Sequence, residues 1–178
     1  MNLPNKITIF RMCMIPFFLV FFLIDTIPFH NWIALAVFIV ASASDAVDGY
    51  LARKHNLVTN FGKFMDPLAD KLLVCTALLC FVEKGTLNLL VAVVIVAREF
   101  IISGFRTVAA EGGLVLAASY WGKSKTIAQM IMCCLLIVHL DYGWFYALEA
   151  VFIWVSFALT VISMLDYLIK NKSVLNVK

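Results

Sequence analysis

SDAVDGYLARKHNLVTNFGKFMDPLADK, Ser44 to Lys71, places four aspartates between two strongly apolar runs. Carboxylates so close to membrane-length apolar segments are costly, and ionisable groups there are functional by default. On a helix, Asp45, Asp48, Gly49 and Ala52 fall at i, i+3, i+4 and i+7, on one face. Asp66 and Asp70 fall at i, i+4 on the next helix. Pro67 suits the first turn of that helix, where a missing N–H costs nothing, and Asp66 is then its expected N-cap. A short loop makes the two helices antiparallel neighbours, so the four carboxylates converge. Without counter-charge they would repel one another. An all-oxygen donor set suits Mg2+ or Mn2+, and the lack of His or Cys in the cluster argues against zinc. Gly49 and Ala52 leave room beside the metals for a phosphate or nucleotide to approach the backbone. Arg53 and Lys63 add positive charge for phosphate oxygens. The competing reading, helix caps paired with Arg53, Lys54, Lys63 and Lys71, suits any one aspartate better than all four in register with small residues.

Outward from this stretch, the composition sets the class. The 178 residues are 63% hydrophobic and 14% charged, with a mean hydropathy of +0.98. A soluble domain is nearer half apolar and about a quarter charged. The chain therefore reads as an all-α integral membrane protein and as one membrane domain, residues 1–178, without linkers or repeats. Six transmembrane helices are expected, at about 8–25, 31–52, 67–83, 86–108, 122–140 and 144–169. Longer polar connections fall at about 53–65 and 109–121, and Met1 to Lys6 is expected to lie along the surface before the first span. No small-residue cleavage site follows the first apolar run, so it reads as a retained helix and not a signal peptide. With six spans, every Lys and Arg except Lys84 falls on the side of the termini, which the positive-inside rule assigns to the cytoplasm. The aspartates then mark an active site at the cytoplasmic end of the bundle. Cys13, Cys75, Cys80, Cys133 and Cys134 all sit in apolar runs and read as small hydrophobes. His30, His55 and His139 are isolated, and none is expected to bind metal. No nucleic-acid partner is expected.

The stretch also reads D-x2-D-G-x2-A-R-x8-G-x3-D-x3-D, filled by Asp45, Asp48, Gly49, Ala52, Arg53, Gly62, Asp66 and Asp70. This resembles the signature of the CDP-alcohol phosphatidyltransferases at every fixed position, and the six-helix pattern extends the resemblance over nearly the whole chain. The resemblance implies transfer of a phosphatidyl group from a CDP-activated lipid to an alcohol, with release of CMP. It implies Asp45, Asp48 and Asp66 as ligands of a two-metal centre, and Asp70 as the general base, in reach of one metal. Gly49 and Arg53 match CDP-contacting positions, with Ala52, Gly62 and Thr59 beside them. Thr8 and Arg11 of the TIFR segment sit where the family often has further nucleotide contacts. A homodimer is also implied. Metal ions bridging a diphosphate neutralise charge on the leaving CMP, and such transfers depend chiefly on positioning and electrostatics.

The second half bears on the acceptor alcohol. AREFIISGFR, Ala97 to Arg106, puts Arg98, Glu99 and Arg106 in an otherwise apolar helix, the two arginines about two turns apart and able to share a face. SYWGKSKT, Ser119 to Thr126, puts Lys123 and Lys125 at the start of the fifth helix. Four cations suggest an acceptor that itself carries a phosphate, assisted by backbone N–H groups at a helix start. Against this, the lysines also satisfy the positive-inside rule or suit anionic lipid heads, and Arg98 could pair with Glu99 or Asp66. Both stretches and the opening MNLPNKITIFRMCMIPFF are similar to those of one bacterial subfamily, the phosphatidylglycerophosphate synthases, which implies CDP-diacylglycerol and sn-glycerol 3-phosphate as substrates and membrane lipids as surroundings. The inner membrane of a bacterium, with both termini cytoplasmic, is the expected location. The nearest rivals are a sibling enzyme acting on inositol phosphate, serine or phosphatidylglycerol, and a divalent-cation transporter. The transporter predicts ionisable groups throughout the membrane depth, whereas here they gather at one end. A non-catalytic lipid-binding scaffold would have little use for Asp70.

Overall fold

The computed structural model describes residues 3–54, 60–111 and 119–171. Within these ranges, the side chains at 3–4, 45–54, 60–64, 66–67 and 111 lie outside the description. Six helices follow one another: α1 (Leu3–Leu23), α2 (His30–Lys54), α3 (Asn60–Glu83), α4 (Leu89–Glu111), α5 (Tyr120–Val138) and α6 (Gly143–Lys170), with no strand among the described residues. Three of them are long and apolar enough to cross a bilayer on composition alone, namely Asn5–Leu23 within α1, α5 and α6. An all-α membrane protein follows, since only helices or closed barrels satisfy backbone groups in lipid.

The chain packs as two units, Met1–Lys84 and Gly85–Lys178. In the first, α1 packs against both α2 and α3, and α2 meets α3. Its apolar interior is built from Ile15, Phe18 and Phe22 of α1, Ala34, Phe38 and Ala41 of α2, and Leu73, Ala77 and Phe81 of α3, all buried. Phe18 stacks on Phe22 and tilts against Phe38, while Phe22 meets Phe81 edge-on at 5.6 Å. The small alanines let the helices approach closely, which matters in lipid because apolar burial alone drives no association there. Lys84, just after α3, reaches Asp25 in the α1–α2 turn at 2.5 Å and lies over the Phe22 ring.

In the second unit α6 packs against both α4 and α5. Asn88 caps α4, its Oδ1 accepting from the Leu90 amide at 2.8 Å. Gly85 supplies the left-handed φ of 71° in the preceding turn, a conformation glycine adopts without steric cost. α5 ends on His139 in the left-handed region, its amide donating to the Leu135 carbonyl. The buried side of α6 is polar, with Glu149, Ser156, Thr160, Ser163 and Tyr167 in register. Thr160 and Ser163 satisfy their hydroxyls on carbonyls of their own helix.

Three expectations about boundaries fail. α3 begins at Asn60 and not at 67, so Asp66 is no N-cap and Pro67 lies inside the helix, more than a turn from its start. α2 and α4 likewise run on to Lys54 and Glu111, into stretches expected to be polar connections. α1 is continuous from Leu3, so the opening segment is helical, with Pro4 in the first turn where no N–H is missed. One cause covers all three. Apolar windows find where a helix leaves lipid, but its hydrogen bonds continue until the backbone itself turns.

Candidate active site

The first unit carries the aspartates. Ala34, Phe38 and Ala41 mark the buried face of α2, and at 100° per residue that face continues through positions 45, 48, 49 and 52. In α3, positions 66 and 70 lie in line with buried Leu73 and Ala77. The backbone of the two packed helices thus brings the four aspartate positions to the same end of one unit. Of their side chains, that of Asp70 is described, and it is exposed. Those of Asp45, Asp48, Asp66, Arg53 and Ala52, like Gly49 and Gly62 as contact points, lie outside the described residues, and so does Thr59 altogether.

The opening turns of α1 line the same end. Thr8 and Arg11 are fully buried. The Arg11 Nε donates to Ser44 Oγ at 3.3 Å, and Ser44 in turn donates to the Ala41 carbonyl at 2.7 Å. Ser44 directly precedes Asp45. Asn5, buried one turn before Thr8, shares this side. Asn5 and Ser44 escape a sequence reading because common polar residues near helix ends carry no signal until the neighbouring helix is in place.

The second unit carries the cations. Arg98 and Lys125 are 8% and 2% exposed, far below what lipid-head contacts would require. Both meet the same oxygen, Oε1 of Glu99, with Arg98 Nη1 at 3.2 Å. The alternative of an Arg98–Glu99 ion pair is therefore real, but Glu99 is shared by two cations. Among the described residues this buried cluster holds two positive groups and one carboxylate. Arg98 Nε is buried without a hydrogen-bond partner, and Arg98 Nη2 lies where a Cβ at Gly122, in the first turn of α5, would touch it at 3.6 Å. Ser119, the N-cap residue of α5, gives its hydroxyl to Asp166 instead of to its own helix.

The other two cations go elsewhere. Arg106 is exposed, donating to the Tyr167 hydroxyl at 3.3 Å with its guanidinium over that ring. It does not share the buried face of Arg98, because eight residues put the two side chains about 80° apart around the helix. Lys123 is exposed. Asp166 pairs with Lys170 at 2.6 Å, as their i, i+4 spacing predicts. His139 is not isolated: its Nδ1 lies 2.9 Å from the buried Glu149 carboxylate.

Residues 1–162 match the CDP-alcohol phosphatidyltransferase family. The chain belongs to that family. The CDP-diacylglycerol--glycerol-3-phosphate 3-phosphatidyltransferase of Bacillus subtilis (strain 168) is 43% identical over 183 residues, covering 96% of this chain and 95% of the relative. Proteins of the same name from Escherichia coli (strain K12) and Rickettsia bellii (strain RML369-C) are 40% and 36% identical, covering 94% and 93% of this chain and 93% of each relative. As a CDP-alcohol phosphatidyltransferase the chain is a transferase acting on phospholipid chemistry, and its family signature falls on the end of the first unit described above.

Proposed function

We propose that this chain transfers the phosphatidyl group of CDP-diacylglycerol to sn-glycerol 3-phosphate, giving phosphatidylglycerophosphate and CMP. The likeness to relatives named for that activity extends over nearly the full length of both partners. The choice of an acceptor bearing a phosphate is carried by one observation, the buried Arg98 and Lys125 sharing a single carboxylate. Buried cations in excess of their counter-charge are costly unless an anion joins them.

In this reading Asp45, Asp48, Asp66 and Asp70 hold Mg2+ or Mn2+, as an all-oxygen set on two adjoining helix faces suits. When bound, such ions neutralise the diphosphate and the charge developing on CMP. Thr8, Arg11, Gly49, Ala52, Arg53, Thr59 and Gly62 contact the CDP moiety. Asp70 accepts the proton of the acceptor hydroxyl. That oxygen bonds to the phosphorus bearing diacylglycerol, the bond from that phosphorus to the bridging oxygen breaks, and CMP leaves with the bridging oxygen. Arg98 and Lys125 hold the acceptor's phosphate, which passes unchanged into the product, and Arg106 and Lys123 add positive charge along its approach. The chain works as one membrane domain of six spans in the inner membrane of a bacterium, both termini cytoplasmic, and as a homodimer.

The deciding experiment is CMP release by the purified protein with CDP-diacylglycerol and Mg2+ or Mn2+, offering glycerol 3-phosphate, inositol phosphate, serine and phosphatidylglycerol separately. Release with glycerol 3-phosphate alone is expected. Release only with an uncharged or zwitterionic acceptor would overturn the assignment of Arg98 and Lys125. Dependence on the added cation, abolished by chelation, is expected in the same assay.

A further inference from the structure

We propose that Glu99 is the positioning residue of the acceptor site, its carboxylate fixing Arg98 and Lys125 in one orientation so that the acceptor's phosphate meets two aligned donors. The inference rests on reading those two cations as the phosphate site. Arg98 and Glu99 are consecutive in α4, and neighbours i, i+1 do not face each other on a helix. Their ion pair at 3.2 Å therefore requires both side chains to turn toward a common point. That point is set by Lys125, which comes from α5 and meets the same oxygen. Glu99 is thus a bridge between two helices that anchors one corner of the guanidinium.

One donor of that guanidinium is left without a partner. Its Nε is buried and makes no hydrogen bond, and Nη2 is beside Gly122, where the absent side chain leaves the space open. A donor buried without a partner costs free energy, so a ligand oxygen reaching Nε is favoured. Long cationic side chains have much rotamer freedom to lose on binding. Glu99 removes that freedom before the ligand arrives, which is the general route by which preorganisation strengthens binding. One carboxylate against two cations also preserves a net positive charge among these three groups for an anion to neutralise. Because the phosphate is held alike before and after the transfer, the effect belongs in the acceptor's KM and not in kcat.

The test uses full-length enzyme in lipid vesicles, with CMP release measured while each substrate is varied. Glu99→Gln is expected to raise the glycerol 3-phosphate KM about tenfold, leaving kcat and the CDP-diacylglycerol KM within about twofold. Inorganic phosphate should compete with glycerol 3-phosphate in the wild type, and its inhibition constant should rise in parallel. Glu99→Asp keeps the charge, and with it the folded protein, but draws the carboxylate back by one methylene. It should raise the acceptor KM about threefold, since a misplaced group loses part of its preorganisation. A Glu99→Asp enzyme indistinguishable from wild type, or variants that shift both KM values together, would overturn the positioning role while leaving the proposed reaction intact. A wild type that uses glycerol as well as glycerol 3-phosphate, and ignores inorganic phosphate, would overturn both.

Discussion

At the residue scale, the aspartates stand out from the sequence as candidates and Glu99 does not. Asp45, Asp48, Asp66 and Asp70 declare themselves because four carboxylates in helical register beside lipid have few other uses. Glu99 carries no such mark, since an Arg-Glu dipeptide in a helix reads as a local pair. Only the arrival of Lys125 from another helix gives it a bridging place. If Asp70 is the general base, Asp70→Asn should abolish turnover yet keep CDP-diacylglycerol binding, measured by equilibrium binding in vesicles. Loss of binding in proportion to activity would contradict that role. On the opposite end of the unit, Asp25 offers a pH test. The Lys84 hydrogen bond and charge, helped by His30, hold its carboxyl below the ordinary 3.8. A carboxylate depressed in the folded state stabilises above its unfolded pKa, and that contribution fades as pH falls through the folded one. The melting temperature of the wild type should therefore drop more than that of Asp25→Asn as the pH falls below about 4. Parallel curves would show that the Lys84 contact contributes nothing measurable.

At the element scale, hydropathy located all six helices but misjudged where several end. α3 shows why. Its first turns mix Asn60, Lys63 and Asp66 with apolar residues, so an apolar window begins only near Pro67, while the helix itself has already run from Asn60. The membrane-facing residues report the solvent, and the polar extensions are governed by backbone hydrogen bonds the window does not see. The same limit hid the buried side of α6, where Ser156, Thr160 and Ser163 look like scattered polar residues until the packing aligns them. Helix contact in the second unit can be probed at Gly122. A methyl there meets Arg98 at an ordinary 3.6 Å, so Gly122→Ala should be tolerated. Gly122→Leu should displace the guanidinium and raise the acceptor KM several-fold, about the loss of one charged hydrogen bond. In the first unit, Phe18 is fully buried among Phe22 and Phe38. Phe18→Ala should destabilise by less than the roughly 3–5 kcal/mol typical in water, because lipid replaces water in the unfolded reference and only packing is lost. Reversible unfolding in mixed micelles would measure it.

At the scale of the whole molecule, charge asymmetry carries the proposed arrangement of six spans with both termini cytoplasmic. In that arrangement Lys84 alone among the cations falls on the side away from the termini. A single cysteine introduced at Thr86, with Cys13, Cys75, Cys80, Cys133 and Cys134 replaced by serine, should react with an impermeant maleimide added to intact cells. Labelling only after the cells are broken open would reverse the orientation. Less readable was how unequal the helices are. α1, α5 and α6 pass as membrane spans on composition alone, and α4 does not. Its Arg98 sits near mid-helix and its only described counter-charge is Glu99, itself shared with α5. An arginine at the centre of a lone inserting helix costs about 2.5–3.5 kcal/mol. The ion bridge thus has a meaning for biogenesis as well as for binding. A nascent chain cut after Glu111 should leave α4 poorly committed to the bilayer, and extension through Val138 should secure it. The order of synthesis would then oblige the insertion machinery to keep α4 waiting for a partner that has not yet emerged from the ribosome.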